Sequence, residues 1–261
     1  MTNPRMKETT VEQLLALNRD FYQTVATDFD ATRGGLPVGW RQLQPWIPRH
    51  SEQDIRQLRV VDVGCGNGRF AWLLEEWGIR AQYIGVDADP RLLALAADHA
   101  RPLSTVETDF RQVDFTTPTW ITDARLERTT FDLVVCFAAL HHVPSYRRRL
   151  QVMQDLVSLL KASGTLISSH WQFLRSVRFV RKQIAWHTIG LVEDDVELGD
   201  ALLPWQQGAY AVRYVHQTDE AEVQQLADDA ALRLIDRFYA DGKEGNLNLY
   251  TIWRAKGGGD E

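Results

Sequence analysis

The sequence predicts an α/β fold built on a doubly wound, mostly parallel sheet, and three observations support it. An apolar run at 58–63 leads into three alternating glycines and then a helical pattern, which is typical of a strand, a tight turn and a helix N-terminus. Strand-like runs then alternate with helix-like runs up to residue 169. The run at 131–136 is continuously apolar after Asp132, as in strands covered on both faces. In such sheets, ligands bind at the carboxyl ends of the strands.

The composition of the chain predicts an ordinary water-soluble protein. Its 261 residues are 44% hydrophobic and 25% charged, no apolar run approaches the ~20 residues that span a bilayer, and the first ten residues are polar. The two cysteines, Cys65 and Cys136, are too few for a disulfide framework or a metal cage, so no metal site is expected. A net charge of −6 gives no global attraction to nucleic acid or acidic lipid. We therefore expect a cytoplasmic protein without membrane contact.

The residues before the first strand predict an N-terminal helical cap over 1–54. Apolar residues recur at three- and four-residue steps from Val11 to Phe29, which indicates one helix. A second helix is expected to end at Pro48 and to carry Trp40, Leu43 and Trp46. Because both helices precede the first strand, we expect them to cover the edge of the sheet or its ligand.

The core domain is expected over 55–256, followed by a disordered tail at 257–261. Its strands are predicted at 58–63, 82–87, 104–108, 131–136, 165–169, 232–239 and 247–253. Helices are predicted at 70–77, from Pro90 onward, and at 146–161 and 219–230. Residues 171–215 do not fit the alternation, and their three tryptophans and basic run predict a helical lid inserted after the fifth strand.

The spacing of the glycines decides which nucleotide-like ligand suits the first turn. A dinucleotide fingerprint requires a third glycine where the chain has Arg69, and the lysine of a phosphate-binding Walker loop is missing. The turn instead carries glycines at 64, 66 and 68, and Asp62 lies two residues before the first of them. A carboxylate in place of a lysine favours a ligand with positive charge. S-adenosylmethionine carries a sulfonium and an ammonium group and therefore fits.

Acids at the ends of the next two predicted strands support this interpretation. Asp87 follows Gly68 by 19 residues, close to the spacing at which an acid accepts both ribose hydroxyls. Asp109, followed by Phe110, is predicted just after the third strand, where it could take the adenine amino group. The three acids together make an ordinary glycine turn the weaker interpretation.

Three segments resemble the class I S-adenosylmethionine-dependent methyltransferases over about residues 55–170: Asp-Val-Gly-Cys-Gly-Asn-Gly at 62–68, Gly-Val-Asp-Ala-Asp-Pro at 85–90 and Phe-Asp-Leu-Val-Val-Cys-Phe-Ala-Ala-Leu-His-His-Val at 131–143. The resemblance implies a methyl-transferring enzyme with a Rossmann-like, seven-stranded sheet whose last strand is antiparallel. It implies that Phe137 lines the methyl-donor site. The cofactor-binding residues expected from the motifs and the resemblance are Asp62, Gly64, Cys65, Gly66, Asn67, Gly68, Asp87, Ala88, Asp109, Phe110 and Phe137.

A narrower pattern is similar to the tRNA wobble-uridine methyltransferases that esterify a carboxymethyl group. It consists of an aromatic-rich stretch from Phe21 to Arg33, the Arg-Tyr-Val-His run at 213–216, and the 140–142 Leu-His-His motif with Arg147, Arg148 and a later Trp171. This resemblance implies a tRNA acceptor. Two alternatives stay open: a small-molecule O- or N-methyltransferase, and a catalytically silent cofactor-binding subunit that works with a small partner.

The candidate catalytic residues are Tyr22, Arg33, His141, His142 and Trp171. The histidines follow the fourth strand, where one could orient or deprotonate the acceptor, or both could form a polar turn. Trp171 could stack on an acceptor ring or pack beneath the lid. Tyr22 and Arg33 could close over the cofactor or hold an acidic acceptor. A basic run could track a phosphate backbone or be a solvated face, and it comprises Arg175, Arg178, Arg181 and Lys182.

Overall fold

A computed structural model of the protein describes residues 6–31, 35–48 and 56–257, without the side chains of 26–31. Its strands are β1 (Leu58–Val63), β2 (Ala81–Asp87), β3 (Val106–Gln112), β4 (Phe131–Phe137), β5 (Leu160–Trp171), β6 (Asp200–Trp205), β7 (Ala211–His216), β8 (Leu232–Ala240) and β9 (Asn248–Ala255). Its α-helices are α1 (Glu8–Ala31), α2 (Val38–Arg41), α3 (Arg69–Glu76), α4 (Pro90–Ala100), α5 (Trp120–Asp123), α6 (Tyr146–Leu159), α7 (Val177–Val180) and α8 (Glu220–Asp229). No described helix is both long and apolar enough to cross a membrane.

The central sheet has seven strands in the order β3-β2-β1-β4-β5-β9-β8. The pairs from β3 to β5 are parallel, whereas β9 runs antiparallel to both β5 and β8. The predicted fold class is therefore confirmed. From β1 the chain passes outward through β2 to β3, and it then crosses back to β4 on the other side of β1. This reversal opens a crevice at the carboxyl ends of β1 and β4, where doubly wound sheets bind ligands.

Apolar layers cover both faces of the sheet because consecutive strand residues point to opposite sides. Val61 of β1 packs with Met153 of α6 in one layer, and the preceding Val60 packs with Phe70 of α3 in the other. All seven residues of β4 are buried, as its continuous apolar pattern predicts. The helix predicted at Pro90 begins there, capped by the carboxylate of Asp89.

The prediction for the third strand is wrong in its position. β3 was expected at 104–108 but spans Val106–Gln112, so Asp109 and Phe110 lie inside the strand rather than after it. Five of the seven residues of this edge strand are polar, so its pattern resembles a loop. Phe110 fits beside β2 because its partner there is Gly85, where a Cβ would lie 2.7 Å from the Phe110 ring.

The prediction of a helical lid at 171–215 also needs correction. This segment contains α7 and three single helical turns, but its longest elements are the strands β6 and β7, which form an antiparallel hairpin. Consecutive side chains of the hairpin point to opposite faces: Leu202 packs toward α1, whereas Leu203 packs toward Trp171. Pro204 inside β6 weakens the strand pattern in the sequence, and such a residue is tolerated in an edge ribbon. We call this element the lid hairpin.

The cap also differs in detail from the prediction. α1 begins at Glu8, and the expected second helix is divided into α2 and a helical turn at Gln44–Trp46. Val11 and Leu14 of α1 pack with Leu202 and Tyr214 of the lid hairpin. The cap helix and the lid hairpin therefore form one covering layer over the carboxyl edge of the sheet.

A buried ionic network fixes the lid hairpin to the core. The guanidinium of Arg149, on α6 and 1% exposed, contacts Glu197 at 2.8 Å and Glu222 at 2.7 Å. The two ring nitrogens of His216 lie 2.7 Å from carboxylate oxygens of Asp200 and Glu222. Burial and the Arg149 charge oppose protonation of this ring, yet the hydrogen bonds to both carboxylates raise the pKa of His216. Both nitrogens therefore donate, and the hairpin is held between α6 and α8.

Candidate functional site

A cavity of ≈ 900 Å³ lies at the carboxyl ends of β1, β2 and β4, beneath α1. This volume falls in the range of small-molecule and cofactor sites. The residues that line it come from the glycine turn, the end of β2, the segment after β3, the end of β4 and the inner face of α1. They include Asn18, Tyr22, Asp62, Gly64, Cys65, Gly66, Asn67, Asp87, Ala88, Asp114, Phe115, Phe137 and His142.

Two glycines of the turn after β1 present backbone without a side chain to the cavity. Gly64 and Gly66 have φ values of +75° and +54°, which L residues with a side chain rarely adopt. A Cβ on Gly64 would lie 2.5 Å from the Cβ of Ala139, whereas a Cβ on Gly66 would project into open space. Gly68 begins α3 from behind the turn and does not line the cavity. The turn therefore leaves room for a ligand to approach the backbone closely.

Asp62 lies on the cavity floor with an incompletely satisfied carboxyl group. Its side chain is buried, and Oδ2 accepts a hydrogen bond of 2.5 Å from the Tyr83 hydroxyl. Oδ1 has no hydrogen-bond partner among the described residues. Burial raises the pKa of Asp62 to about 7, the Tyr83 hydrogen bond opposes this rise, and the charge of Asp87 adds to it. A buried carboxylate oxygen without a partner fits a cationic ligand group.

Asp87 is held rigidly at the rim of the cavity. Its Oδ2 accepts from the Gly66 N–H and its Oδ1 from the Asp89 N–H, each at 2.9 Å. Burial raises the pKa of Asp87, while these backbone hydrogen bonds oppose the rise. Each carboxylate oxygen keeps a further lone pair, so the group can accept two more hydrogen bonds from a ligand. A vicinal diol has the matching pair of donors.

The structure corrects the predicted role of Asp109 and Phe110. The Asp109 side chain is 56% exposed, forms an ion pair of 2.6 Å with Arg111, and does not line the cavity. Phe110 packs behind the glycine turn, against Gly68 and Gly85. A second Asp-Phe pair, Asp114 and Phe115, lines the cavity instead. This second pair follows the first by five residues in the sequence. Because the end of β3 is predicted too early, the sequence points to the first pair as the adenine contact.

The other predicted cofactor residues form the wall at the end of β4 and around the turn. Phe137 lines the cavity with its ring packed between Trp40 and Phe70, at centroid distances of 5.1 Å and 5.0 Å. Cys65 also lines it, and burial raises the pKa of its thiol well above the ordinary value. Cys65 is therefore a neutral, small packing residue rather than a nucleophile.

The cap helix is fastened over the cavity by Arg91. Its guanidinium donates to the backbone oxygens of Tyr22 at 2.8 Å and Gln23 at 2.6 Å. The same group is held by Asp89 at 2.7 Å, at the start of α4. These contacts connect α1 directly to the loop that follows Asp87.

Two of the five candidate catalytic residues meet inside the cavity. The Tyr22 hydroxyl lies 2.8 Å from His142 Nε2, and both residues line the cavity. His142 Nδ1 lies 3.2 Å from the backbone oxygen of Tyr214 in the lid hairpin. Because a carbonyl only accepts, the Tyr214 contact favours the tautomer with the proton on Nδ1, in which Nε2 accepts from the Tyr22 hydroxyl.

His141 and Trp171 lie behind this pair, in the positions expected from the packing alternative for each residue. The His141 ring packs against Trp171 at a centroid distance of 5.6 Å, and neither residue lines the cavity. Trp171 packs with Phe179 and lies beneath the Arg213 guanidinium, 4.8 Å from its ring centroid. Arg33 lies outside the described residues.

The basic run does not reach the cavity. Arg175 stacks on the Tyr239 ring at 4.1 Å and donates to its hydroxyl at 2.7 Å. None of the four residues Arg175, Arg178, Arg181 and Lys182 lines the cavity.

A family model described as a methyltransferase domain matches residues 55–229. The chain belongs to this family. A ubiquinone biosynthesis O-methyltransferase from Xanthomonas campestris pv. campestris (strain B100) is 35% identical over 162 residues, which cover 58% of this chain and 62% of that protein. Another from Coxiella burnetii (strain Dugway 5J108-111) is 27% identical over 197 residues, covering 74% of this chain and 72% of that protein. The chain thus spans about three fifths of the length of the first of these relatives.

Solved structures of low sequence identity share the fold of this methyltransferase domain. Magnesium protoporphyrin IX methyltransferase from Synechocystis PCC 6803, solved with bound SAH, is 18% identical with a TM-score of 0.60, over 92% of this chain and 99% of that one. A methyltransferase from Streptomyces caelestis is 16% identical with a TM-score of 0.60, over 90% of this chain and 97% of that one.

Several residues that line the cavity are not predicted by the sequence analysis. Asp114 and Phe115 carried a usable signal, because they repeat the acid-aromatic pair selected five residues earlier. The sequence gives no signal for Asn18 and Arg91, because each contacts a segment more than 60 residues away in the chain. Such long-range contacts emerge only when α1 is placed over the sheet.

Proposed function

We propose that this methyltransferase domain transfers a methyl group from S-adenosylmethionine to a hydroxyl oxygen of a small molecule. The observation that carries the proposal is the Tyr22–His142 pair inside the same cavity as the glycine turn and Asp87. A carboxylate acceptor is already deprotonated and needs no base, whereas a hydroxyl acceptor benefits from one. The pair therefore favours a hydroxyl over the carboxymethyl group of a wobble uridine.

The residues present fit the cofactor in charge and in shape. Asp87 would accept the two ribose hydroxyls, and Asp114 with Phe115 would meet the adenine. The bare turn at Gly64 and Gly66 would face the methionyl part, whose positive charge would lie near the unsatisfied oxygen of Asp62. When bound, the cofactor supplies a methyl group activated by its sulfonium, so the protein mainly positions the acceptor and takes its proton.

The Tyr22–His142 pair provides a path for that proton. Tyr22 already donates to His142 Nε2 at 2.8 Å, so its oxygen can accept from a hydroxyl held in the cavity. As the acceptor oxygen gains the methyl group, its proton passes to Tyr22, and the Tyr22 proton passes to Nε2. The resulting imidazolium keeps its Nδ1–H on the Tyr214 carbonyl and later releases one proton to solvent.

Two further observations support a small acceptor rather than tRNA. The relatives named ubiquinone biosynthesis O-methyltransferases suggest an oxygen acceptor that is a small molecule. The basic run at 175–182 lies away from the cavity, so it does not lead a phosphate backbone toward His142.

Cofactor affinity is expected to weaken as the pH falls below 7. The pKa of Asp62 is about 7, so below that pH a growing fraction of molecules must release a proton before the carboxylate can meet a cationic group. The Kd for S-adenosylmethionine should rise by up to about tenfold per pH unit. Calorimetric titrations between roughly pH 5.5 and 7.5 measure this slope. Asp62→Asn serves as the control and should show a shallower slope than the wild type, because Asp87 still titrates in it. Equal slopes for the two proteins would remove Asp62 from the cationic site.

Transfer of a labelled methyl group to fractionated cell extract tests the proposed acceptor. We expect label in the small-molecule fraction, in a bond that survives mild alkali as methyl ethers do, and none with Asp87→Ala. Label in RNA that alkali releases would indicate the esterifying tRNA enzyme instead. Cofactor binding without transfer, with or without a co-purifying partner, would indicate a silent subunit.

A further inference from the structure

We infer that Asn18 is a positioning residue that joins the cap helix and the lid hairpin to His142, and so selects the tautomer in which Nε2 is the base. This inference rests on the proposed role of His142. Asn18 lies on α1, is 6% exposed, and lines the cavity beside Tyr22. A buried amide in an amphipathic helix requires partners, and those of Asn18 come from two other parts of the fold.

The contacts of Asn18 fix the orientation of its amide. Its Oδ1 accepts from the backbone N–H of Tyr214 at 2.8 Å, and a backbone N–H can only donate. Nδ2 must therefore face the other side, where it donates to the backbone oxygen of His142 at 3.1 Å. One side chain thus spans α1, strand β7 of the lid hairpin and the turn after β4.

The same bridge places the group that sets the tautomer of His142. Asn18 holds the backbone of Tyr214, and the carbonyl of that residue lies 3.2 Å from His142 Nδ1. Nδ2 of Asn18 can only donate, and it lies 3.1 Å from the His142 oxygen but 3.5 Å from Nδ1. The shorter Nδ1 contact, at 3.2 Å, is to the Tyr214 carbonyl, which only accepts and so favours a proton on Nδ1. Asn18 fixes the position of that carbonyl through the Tyr214 N–H.

The position of Tyr214 is determined from its other end by the buried ionic network. Its hydroxyl donates to Asp200 Oδ1 at 2.7 Å, and the same oxygen accepts from His216 Nδ1 at 2.7 Å. Strand β7 is thus held at both ends of Tyr214: its backbone N–H donates to Asn18, and its side-chain hydroxyl donates to Asp200. It follows that the base is assembled only when α1 and the lid hairpin are both seated.

Asn18→Ala and Asn18→Asp separate this role from a merely structural one. Asn18→Ala removes the bridge, so we expect a mixture of His142 tautomers and a kcat lower by about tenfold, the size of one neutral hydrogen bond. Asn18→Asp keeps the acceptor for the Tyr214 N–H but puts a negative charge near Nδ1. We therefore expect the lower inflection of its kcat–pH profile to move to higher pH.

Gln13→Ala is the matched control, since Gln13 is an exposed amide on the same helix. It also bridges to the inserted segment, donating to the Ile189 oxygen at 2.7 Å, but has no contact with His142. We expect its kcat and its tautomer to match those of the wild type.

The decisive readout is ¹⁵N NMR of histidine-labelled protein, with the His142 signals assigned by their loss in His142→Gln. The wild type should show a protonated Nδ1 and an unprotonated Nε2. A His142 tautomer unchanged in both Asn18 variants would overturn the inference. If instead the tautomer shifts but His142→Gln remains fully active, the positioning stands and the proposed role of His142 as base fails.

Discussion

Replacing His142 with Gln should lower kcat by about 10²–10⁴-fold, the usual contribution of a general base. In the proposed mechanism His142 Nε2 is the base, and the Tyr22 hydroxyl lies 2.8 Å from it. A glutamine fills similar space but cannot take up a proton. The affinity for S-adenosylmethionine should change by less than about threefold, because the cofactor contacts lie on the other side of the cavity. Single-turnover rates with labelled cofactor measure the loss.

His141→Gln is the matched control for this prediction. His141 precedes His142 in the same helical turn but packs against Trp171 behind the cavity. Its replacement should leave the single-turnover rate within about threefold of the wild type, provided that thermal unfolding shows a stable fold. Equal losses for the two histidines would show that the turn matters only for packing and that neither residue is the base.

Asp87→Ala should weaken cofactor binding by about 100-fold or more. Each hydrogen bond from a ribose hydroxyl to a carboxylate contributes roughly 1.5–3 kcal/mol, and Asp87 has lone pairs for two. The change also removes the acceptor that holds the Gly66 N–H at 2.9 Å, so the turn loses part of its support. Calorimetric titration with S-adenosylhomocysteine measures the affinity without turnover.

Asp109→Ala provides the comparison that separates the two acids. Asp109 pairs with Arg111 on the exposed side of β3 and does not line the cavity. Its replacement should leave the Kd within about twofold of the wild type. If Asp109→Ala weakens binding as much as Asp87→Ala does, the adenine lies along β3 and the assignment to Asp114 and Phe115 is wrong.

The parts of the site that the sequence predicts are those defined by local patterns. A β-branched run followed by glycines at 64 and 66 can form few structures other than a strand and a bare turn. The acid at the end of β2 follows from the regular length of a βα unit, so Asp87 was located correctly at the cavity. These residues depend on neighbours within the same strand, turn and helix.

The parts that the sequence does not predict depend on register or on distant segments. To choose between Asp109 and Asp114, one must know where β3 ends, and the mostly polar sequence of this edge strand hides its end. To choose between His141 and His142, one must know which of two adjacent side chains in a helical turn points into the cavity, and the sequence does not contain this information. The sequence of the lid hairpin resembles a helical segment because Pro204 and the short helical turns around it obscure the alternation of its strands.

The most direct test of the central claim is a crystal structure of the protein with S-adenosylhomocysteine. The adenosyl group should lie in the ≈ 900 Å³ cavity, with its ribose hydroxyls hydrogen-bonded to Asp87, its adenine against Phe115 and its sulfur directed toward the Tyr22–His142 pair. Adenine packed against Phe110, or a ligand bound outside this cavity, would contradict the account.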